Sequence, residues 1–410
     1  MKNKFTFLTL LLSAFISSPI LKAADVSGKT LYQGDEARPI GYSVVTLKNV
    51  DDNTFQTYKT GSDGFYQFTG IAKGNYTLTG TTQIAGGGVT YYSAALVFLN
   101  VIGVYHLTPM QFLASDVDAN DKIEMADYNL ILNNILFKKP FPAGTWRFEN
   151  VPFTISDLKD SPPRGLGGTV SGDVGGAFVP TSNSTPALPL AQEGEINVTG
   201  GDSFTTTIIT HNELSISGAG IIINYPSELL QIESVEFKGT DYEYNIEDGQ
   251  IRLIWGNPNM AAVNFNEGEA FITIHGTSTV AFTQGMTAGI SLDGNTSLVD
   301  ASNKEQTKLN FASPLIRFGK PSLKFSNYPN PFKNSTKLNI YTPEAGNAII
   351  EVYNTRGQLV KSISAGTLNA GYQVVNLDAS QMAKGYYICK IRIEAKTTEF
   401  TNTIRLLKAE

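Results

Sequence analysis

The chain has 410 residues, of which 17% are charged, with 38 glycines, a formal charge of −6 and a single cysteine. This length predicts two to four domains, and recurrent Tyr, Phe, Thr and Val predict a mainly β, multidomain protein built from small modules. An acidic chain without a basic cluster argues against nucleic acid as a partner, and one cysteine excludes intrachain disulfides.

The first 23 residues have the pattern of a secretory signal peptide. Lys2 and Lys4 precede an apolar run over 5–16, and LKA (21–23) offers a small-residue cleavage site. The run is too short to span a membrane, and no later stretch reaches about 18 apolar residues. We therefore expect an exported protein.

Residues 24–80 are expected to form a small β-sandwich. Runs of β-forming residues alternate with turn sequences such as GSDG (61–64) and KGN (73–75). The text VSGKTLYQGDEARPIGYSVVTL, followed by TGSDGFYQFTGIAKGNYTLTG, resembles the carboxypeptidase-regulatory-like (transthyretin-like) domains of secreted bacterial proteins. That resemblance implies a spacer or accessory domain without an active site.

The stretch SDVDANDKIEMADY (115–128) predicts a calcium-binding loop. Oxygen-bearing side chains stand at positions 1, 3, 5, 9 and 12 of twelve, and position 7 would contribute its backbone carbonyl. Position 6, usually Gly, is Asp121, which tolerates the left-handed conformation. The alternative is a solvated polar turn. The candidate Ca2+ ligands are Asp116, Asp118, Asn120, Lys122 (carbonyl), Glu124 and Asp127.

The helix after this loop has a counterpart thirty-four residues earlier. Both carry apolar residues at i, i+3, i+4, i+7 and i+8, and Thr108-Pro109 predicts the start of a short helix between them. Two loop–helix units predict paired EF-hand-like motifs. The first loop (82–93) has no carboxylate at the matching positions, so we expect no ion there.

Residues 82–137 resemble a type I dockerin, most closely over LTPMQFLASDVDANDKIEMADY. The resemblance implies a calcium-stabilised module, assigned to 81–152, with a cohesin as protein partner. In dockerins, loop positions 10 and 11 help to select that partner. Here they are the pairs Tyr91-Tyr92 and Met125-Ala126, where small hydroxyl residues are common, so partner specificity does not transfer. The apolar helix face is either module core or interface.

A linker is predicted over 153–192. From 161 to 190, 18 of 30 residues are Gly, Pro, Ser or Thr, a composition that cannot bury a core. Trp146 and Phe148, just before it, are expected to pack back on the helices.

Strands return over 193–318 and predict a second sandwich, because apolar residues alternate with period 2 in IIINY (221–225) and IRLIW (251–255). The stretch GDSFTTTIITHNELSISGAGIIINYPSELLQIESVEF, with GQIRLIW and GEAFITIHG, resembles cohesin and related carbohydrate-binding sandwich domains. That fold hosts protein binding and sugar binding alike. Tyr242, Tyr244 and Trp255 are candidates for stacking on a sugar or for core packing.

Residues 319–410 resemble the type A sorting domain of the type IX secretion system. The marks are NYPNPF (327–332), YNTRG (353–357) and GYY (385–387). The resemblance implies export by that machinery across the outer membrane of a diderm bacterium. It also implies removal of the domain and either surface attachment or release.

No catalytic motif is evident. His106, His211 and His275 are isolated in sequence, and Cys389 lies in the domain expected to be removed. H-E-x-x-H, G-x-S-x-G and Gly-rich phosphate loops do not occur. We therefore expect a non-catalytic protein.

Together these features predict three small β-sandwiches plus one α-helical EF-hand-like module, in a secreted or surface binding or scaffold protein. Its partner is expected to be a protein, bound through the dockerin-like or cohesin-like module. The two modules are also candidates to dock on each other, within a chain or between copies. The alternatives are a carbohydrate-binding accessory protein of polysaccharide breakdown and a hydrolase with an unrecognised site.

Overall fold

The computed structural model describes residues 24–156, 162–181, 188–256, 261–319, 322–396 and 398–409. The predicted signal peptide lies outside these ranges. The chain is mainly β and multidomain, as its composition predicts. It divides into two compact units, 1–83 with 148–167 and 84–147 with 168–410. None of the helices in the described ranges has the length and hydropathy of a membrane span.

The first unit contains two four-stranded sheets around one apolar core. Their orders are β4-β1-β8-β6 and β3-β2-β5-β7. Alternate residues of the strands, such as Val26, Tyr66 and Leu78, point into the core and are buried. The strands are β1 (Ala24–Tyr32), β2 (Val44–Asn49), β3 (Phe55–Lys59), β4 (Phe65–Ile71), β5 (Gly74–Thr81), β6 (Trp146–Phe148), β7 (Val151–Ile155) and β8 (Arg164–Val170).

The linker predicted for 153–192 is wrong over much of its described part. β7 pairs with β5, β8 lies beside β1 in the other sheet, and Leu166 is fully buried. Gly28 of β1 permits the close approach of β8, because a Cβ added to Gly28 would lie 1.7 Å from the Arg164 carbonyl oxygen. The first unit therefore does not end at residue 80, and 148–167 completes it.

The second unit begins with the three predicted helices, α1 (Tyr91–Val101), α2 (Pro109–Ser115) and α3 (Met125–Phe137). The Thr90 side chain caps α1 by accepting from the Ser93 N–H, and Thr108 forms a reciprocal capping box with Gln111 at the start of α2. The recurring apolar residues of α1 and α3 meet in one buried cluster that includes Ala94, Val97, Ile131 and Ile135.

Trp146 and Phe148 do not pack on these helices as expected. The Trp146 ring lies edge-on to Phe178, with centroids 5.8 Å apart, and its Nε1–H donates to the Ile84 carbonyl at 2.7 Å. Phe148 packs at Gly80 in the first unit. Phe178 belongs to the segment that had been expected to be a linker, which explains why the sequence did not reveal this pairing.

A sandwich follows, with one large core between its two main sheets. One sheet has the order β13-β17-β10-β21-β18, with β9 parallel to β21; the other is β14-β15-β12-β19, with β20 also pairing β12; β11 and β16 form a small third sheet. The strands are β9 (Leu190–Val198), β10 (Ser203–Thr210), β11 (Leu214–Ile216), β12 (Gly218–Asn224), β13 (Leu230–Phe237), β14 (Glu243–Glu247), β15 (Gln250–Gly256), β16 (Val263–Phe265), β17 (Ala270–Ser278), β18 (Thr287–Ala288), β19 (Ser291–Leu292), β20 (Ser297–Val299) and β21 (Phe311–Phe318).

Helices α1 and α3 cover the outer face of the β14-β15-β12-β20 strands. Ile222 and Ile254, whose strand neighbours point into the sandwich core, are only 2% and 7% exposed on this outer face. Ile254 belongs to the same buried cluster as the helix residues, and Val299 of β20 clusters with Tyr91 and Ala95. The apolar helix residues thus form both the core of the module and an interface.

The last domain has a three-stranded sheet, β22-β23-β26, and a four-stranded sheet, β25-β24-β27-β28, around its own core. Cys389 is buried in that core. Tyr341 packs against the preceding sandwich. The strands are β22 (Lys324–Tyr328), β23 (Ser335–Thr342), β24 (Gly346–Asn354), β25 (Leu359–Leu368), β26 (Gly371–Asp378), β27 (Gly385–Ala395) and β28 (Glu399–Lys408).

Candidate metal site

Three carboxylates converge in the loop between α2 and α3. Oxygen atoms of Asp116, Asp118 and Asp127 lie within 4.8 Å of one another. Asp116 is the residue at which α2 ends, and Asp127 is in the first turn of α3. A loop that begins and ends on helices therefore holds its charged groups at fixed positions.

Two residues with a left-handed backbone conformation turn the chain so that these side chains face inward. Ala119 and Asp121 have φ angles of 63° and 62°, and Asp at such a position is among the less costly non-glycine choices. The Asn120 N–H donates to Asp116 Oδ1 at 3.0 Å and to Asp118 Oδ1 at 3.1 Å, and the Asp121 N–H donates to Asp116 Oδ2 at 3.3 Å. The sharp turn expected at position 6 is present.

Asp127 closes the loop from its other end. Its two carboxylate oxygens accept hydrogen bonds of 3.0 Å from the backbone N–H groups of Val117 and Glu124. Burial raises the pKa of its carboxyl above the usual range; the charges of Asp118 and Asp116 raise it further, while the two backbone hydrogen bonds act in the opposite direction. A bound cation would remove this electrostatic penalty.

The structure brings together three of the six predicted ligands. Asn120, Lys122 and Glu124 are exposed. The Asn120 side chain is engaged within the loop, since its Nδ2 donates to Asp118 Oδ2 at 3.1 Å and its Oδ1 accepts from the Lys122 N–H at 2.8 Å. These three residues lie on the solvent side of the cluster.

Arg147 is a member of this site that sequence spacing did not reveal. Its Nη1 donates to the Asp116 carbonyl at 3.0 Å, and its Nη2 lies 3.4 Å from Asp116 Oδ2. One guanidinium against three carboxylates leaves excess negative charge, and a set of oxygen donors suits a hard cation such as Ca2+. Among the residues that the structure describes, this is the one grouping of three or more His, Cys, Asp or Glu that could hold a metal ion.

The first loop, 82–93, is filled by protein groups from elsewhere in the unit. The Gly88 N–H donates to Asn295 Oδ1 at 3.0 Å, and Ser93 Oγ accepts from the Gly175 N–H at 3.2 Å. Asp173 lies so close that a Cβ added to Gly88 would be 2.5 Å from its Oδ2. The Asp173 carboxylate accepts from the N–H groups of Ala177 and Phe178 and so stabilises its own turn.

Two of the three histidines have polar partners that sequence separation had concealed. His275 Nδ1 lies 3.0 Å from Thr205 Oγ1, and its Nε2 lies 3.3 Å from a Glu236 carboxylate oxygen. This row crosses β10, β17 and β13. Thr205 is buried, and Gly371 of the last domain lies over its Cγ2 methyl, whereas His275 and Glu236 line a cleft beside this contact. His211 pairs with Glu193 at 3.0 Å, and His106 is exposed.

The three aromatic candidates for sugar stacking do not form an open platform. Trp255 is buried in the sandwich core against Phe237. Tyr242 is half-buried, and its hydroxyl donates to the Val235 carbonyl at 3.1 Å. Tyr244 is 39% exposed and stacks on Tyr242. Core and edge packing accounts for all three.

Comparison with protein families identifies residues 326–404 as a secretion system C-terminal sorting domain. This confirms the type IX sorting domain expected for 319–410. It indicates export, with a final location outside the cell or on its surface. Comparison with curated protein sequences gives no significant match.

Solved structures similar to the chain include cohesins. The sixth cohesin of Acetivibrio cellulolyticus scaffoldin B, solved with the Cel5 dockerin, is 15% identical; the match covers 32% of this chain and 99% of that one, with a TM-score of 0.27. The cohesin CaCohA2 of Clostridium acetobutylicum is 12% identical over 33% and 94%, with a TM-score of 0.26. BcpA, the major pilin subunit of Bacillus cereus, is 10% identical over 94% and 96%, with a TM-score of 0.24. These scores are too low to assign a function or a partner.

Proposed function

We propose that the protein is an exported, non-catalytic binding or scaffold protein whose helical module is stabilised by Ca2+. Asp116, Asp118 and Asp127 would hold the ion. The observation that carries this proposal is the gathering of three carboxylates, two of them buried, against a single guanidinium. Such a cluster is electrostatically unfavourable without a cation and suits one of the hard, oxygen-binding type.

The position of the cluster supports a structural role for the ion. Asp116 terminates α2 and Asp127 begins α3, so one ion would fix the angle between the two helices. Because α3 also contacts the sandwich, a fixed α3 supports the larger unit. The role we assign to Ca2+ is structural, as it holds a surface in shape.

A protein partner fits the described surface better than a glycan. Trp255 is a core residue and Tyr242 packs at its edge, so neither offers the exposed aromatic face on which a sugar ring stacks. In the row of Thr205, His275 and Glu236, the threonine is buried under Gly371 of the last domain, while His275 and Glu236 line the cleft beside it. The packing of the aromatic residues favours a protein partner over a glycan, and the burial of Thr205 favours binding over catalysis.

Calorimetric titration of the full chain tests the calcium proposal. We expect one equivalent of Ca2+ to bind and Mg2+ to bind more weakly, because Mg2+ demands a tighter octahedral site. Absence of calcium binding would refute this part. Purified exported proteins captured by the chain, and then shown to bind it directly, would support the binding role. Hydrolysis of a polysaccharide or peptide by the purified chain would contradict the non-catalytic role.

A further inference from the structure

The outer face of the β14-β15-β12-β20 strands, here named the dock face, has the shape of a receptor for one particular side chain. In a sandwich exposed to water this face would carry polar residues in alternation with the core positions. Here it carries small and apolar residues together with one arginine. They are Gly218, Gly220, Ile222, Arg252, Ile254 and Gly256.

Three of these residues form a slot for the ring of Tyr91. A Cβ added to Gly218 would lie 2.2 Å from Tyr91 Cε1, one added to Gly220 would lie 2.7 Å from Tyr91 Cβ, and one added to Gly256 would lie 2.0 Å from the Tyr91 hydroxyl oxygen. Glycine within a strand weakens the strand unless another group approaches closely. One residue, the first of α1, therefore accounts for all three glycines: its ring and hydroxyl approach Gly218 and Gly256, and its Cβ and backbone approach Gly220.

The dock face also donates hydrogen bonds to the carbonyl groups at the C-terminal end of α3. The last carbonyl groups of a helix have no partner within it. Arg252 Nη1 donates to the Ile135 carbonyl at 2.7 Å, and Asn245 Nδ2 donates to the Leu136 carbonyl at 3.3 Å. A cation at a helix C-terminus is favourable for the helix dipole as well.

Side chains of the sandwich also accept hydrogen bonds from backbone N–H groups at the beginning of α1. The first N–H groups of a helix lack intrahelical acceptors, and the Tyr92 N–H donates to Ser297 Oγ at 3.1 Å. Just before the helix, the Gly88 N–H donates to Asn295 Oδ1 at 3.0 Å. Four side chains of the sandwich thus complete backbone groups of the helical module, which a chance contact between two folded surfaces does not provide.

We propose that the partner of the dock face is the chain's own helical module, held in cis with Tyr91 as its anchor, so that this face is closed to other chains. The inference rests on the proposed binding role and names the partner of this surface. An external partner must then bind elsewhere on the molecule. The occupant is fixed by shape at Tyr91 and by hydrogen bonds at two helix ends.

Thiol crosslinking in the full chain distinguishes docking in cis from docking in trans. Ala95 and Val299 belong to one buried cluster, and the native Cys389 is buried. With Ala95→Cys and Val299→Cys, a short thiol crosslinker should give an intrachain bridge in the monomer at every protein concentration. Ala95→Cys with Val280→Cys, where Val280 is 87% exposed, is the control and should not bridge.

Covalent dimers that increase with concentration would overturn the proposal, because the partner would then be a second copy. Failure of the matched pair to crosslink would overturn it as well, because the module would not lie on the dock face. Either result leaves the calcium titration unaffected, so failure of this inference is distinguishable from failure of the proposed calcium site.

The slot itself predicts a specific pattern of rescue. Each glycine changed to Ala should lower the melting temperature. Tyr91→Phe removes the hydroxyl and should rescue Gly256→Ala in part, but it should not rescue Gly218→Ala, which meets the ring. Tyr91→Ala should rescue both. Neither Tyr91 variant should rescue Gly220→Ala, because the Cβ that it meets is retained.

Additive losses in all combinations would show that Tyr91 does not occupy the slot and would overturn its role as the anchor. Should a glycine variant fail to fold, the crosslinking pair still decides the proposal, since it changes only Ala95 and Val299. Both are positions where a cysteine is close in size to the native residue.

Discussion

Asp127→Asn is the most informative change in the candidate metal site, because it is nearly isosteric and removes one charge. In the wild type both carboxylate oxygens accept backbone N–H groups, those of Val117 and Glu124. An amide retains one acceptor and turns an N–H2 group toward the other donor. Without calcium, the lost hydrogen bond should cost about 1–3 kcal/mol, offset in part by relief of repulsion from Asp116 and Asp118.

With calcium the difference should grow. An ion at about one hundred times its Kd stabilises the folded state by about 2.7 kcal/mol, and the variant should lose most of this increment. In excess calcium we therefore expect Asp127→Asn to unfold with a free energy lower by about 3–5 kcal/mol. Urea unfolding followed by tryptophan fluorescence measures it, since Trp146 and Trp255 both lie in the second unit.

Asp121→Asn is the matched control. It removes the same charge from the same loop, its side chain is exposed, and asparagine tolerates the positive φ of that position. The control should retain the calcium increment. Equal stability of the wild type in calcium and in chelator would refute the reasoning, as would an equal loss in both variants, which would indicate a general charge effect.

Three further outcomes follow from buried contacts. Arg252→Met should lower the free energy of unfolding by about 1–3 kcal/mol, because the Ile135 carbonyl loses its donor; urea unfolding checks it. Leu166→Ala should cost about 2–5 kcal/mol in the same assay, since Leu166 is fully buried, whereas Val280→Ala should be nearly neutral; equal effects would restore the linker assignment. Burial raises the pKa of Cys389 to about 12, so its thiol stays protonated below that pH, and rapid labelling of the folded chain by a thiol reagent would contradict its position.

The carboxylate cluster could be anticipated from sequence because its members are local. Asp116, Asp118 and Asp127 come from one twelve-residue loop between two helices, so their spacing nearly determines their geometry. Arg147 could not be anticipated in the same way. It reaches Asp116 from 31 residues away, and no local pattern links the two.

The linker assignment failed for a related reason. Composition measures what a segment can bury by itself, and the segment 164–170 has little to bury. It lies between β1, which is more than a hundred residues earlier in the chain, and β6, and Gly28 of β1 permits the close approach to Arg164. A Gly-rich stretch is thus compatible with a central strand when its neighbours supply the apolar surface.

The dock face gave a partial signal in the sequence. Ile222 and Ile254 are apolar on the side of each strand that should face water, which indicates a cover. Glycines at alternate positions of a strand, Gly218 and Gly220, indicate close approach of another group. Neither signal identifies the occupant. Tyr91 fills the slot from a loop that was notable in the sequence mainly for lacking carboxylates.

The opposite sheet of the sandwich is covered by the sorting domain with different chemistry. Tyr341 packs against the sandwich, and Gly371 lies over Thr205 and Thr207. A cleft lies beside this contact. Its acidic residues are all glutamates of the sandwich, and its lysines, Lys324 and Lys337, belong to the sorting domain. The glutamates are Glu193, Glu195, Glu213, Glu236, Glu267 and Glu269.

These two covers should differ in how easily they separate from the sandwich. A polar, charge-complementary contact weakens with salt and leaves hydroxyls and carboxylates that water can solvate. An apolar contact resists salt, and its separation would expose Ile222, Ile254 and an empty slot to water. A sorting domain that is removed after export, as the type IX resemblance implies, must leave a face that tolerates water. Thr205 and Thr207 meet that requirement and the dock face does not, so we expect the helical module to stay with the exported protein if the sorting domain is removed.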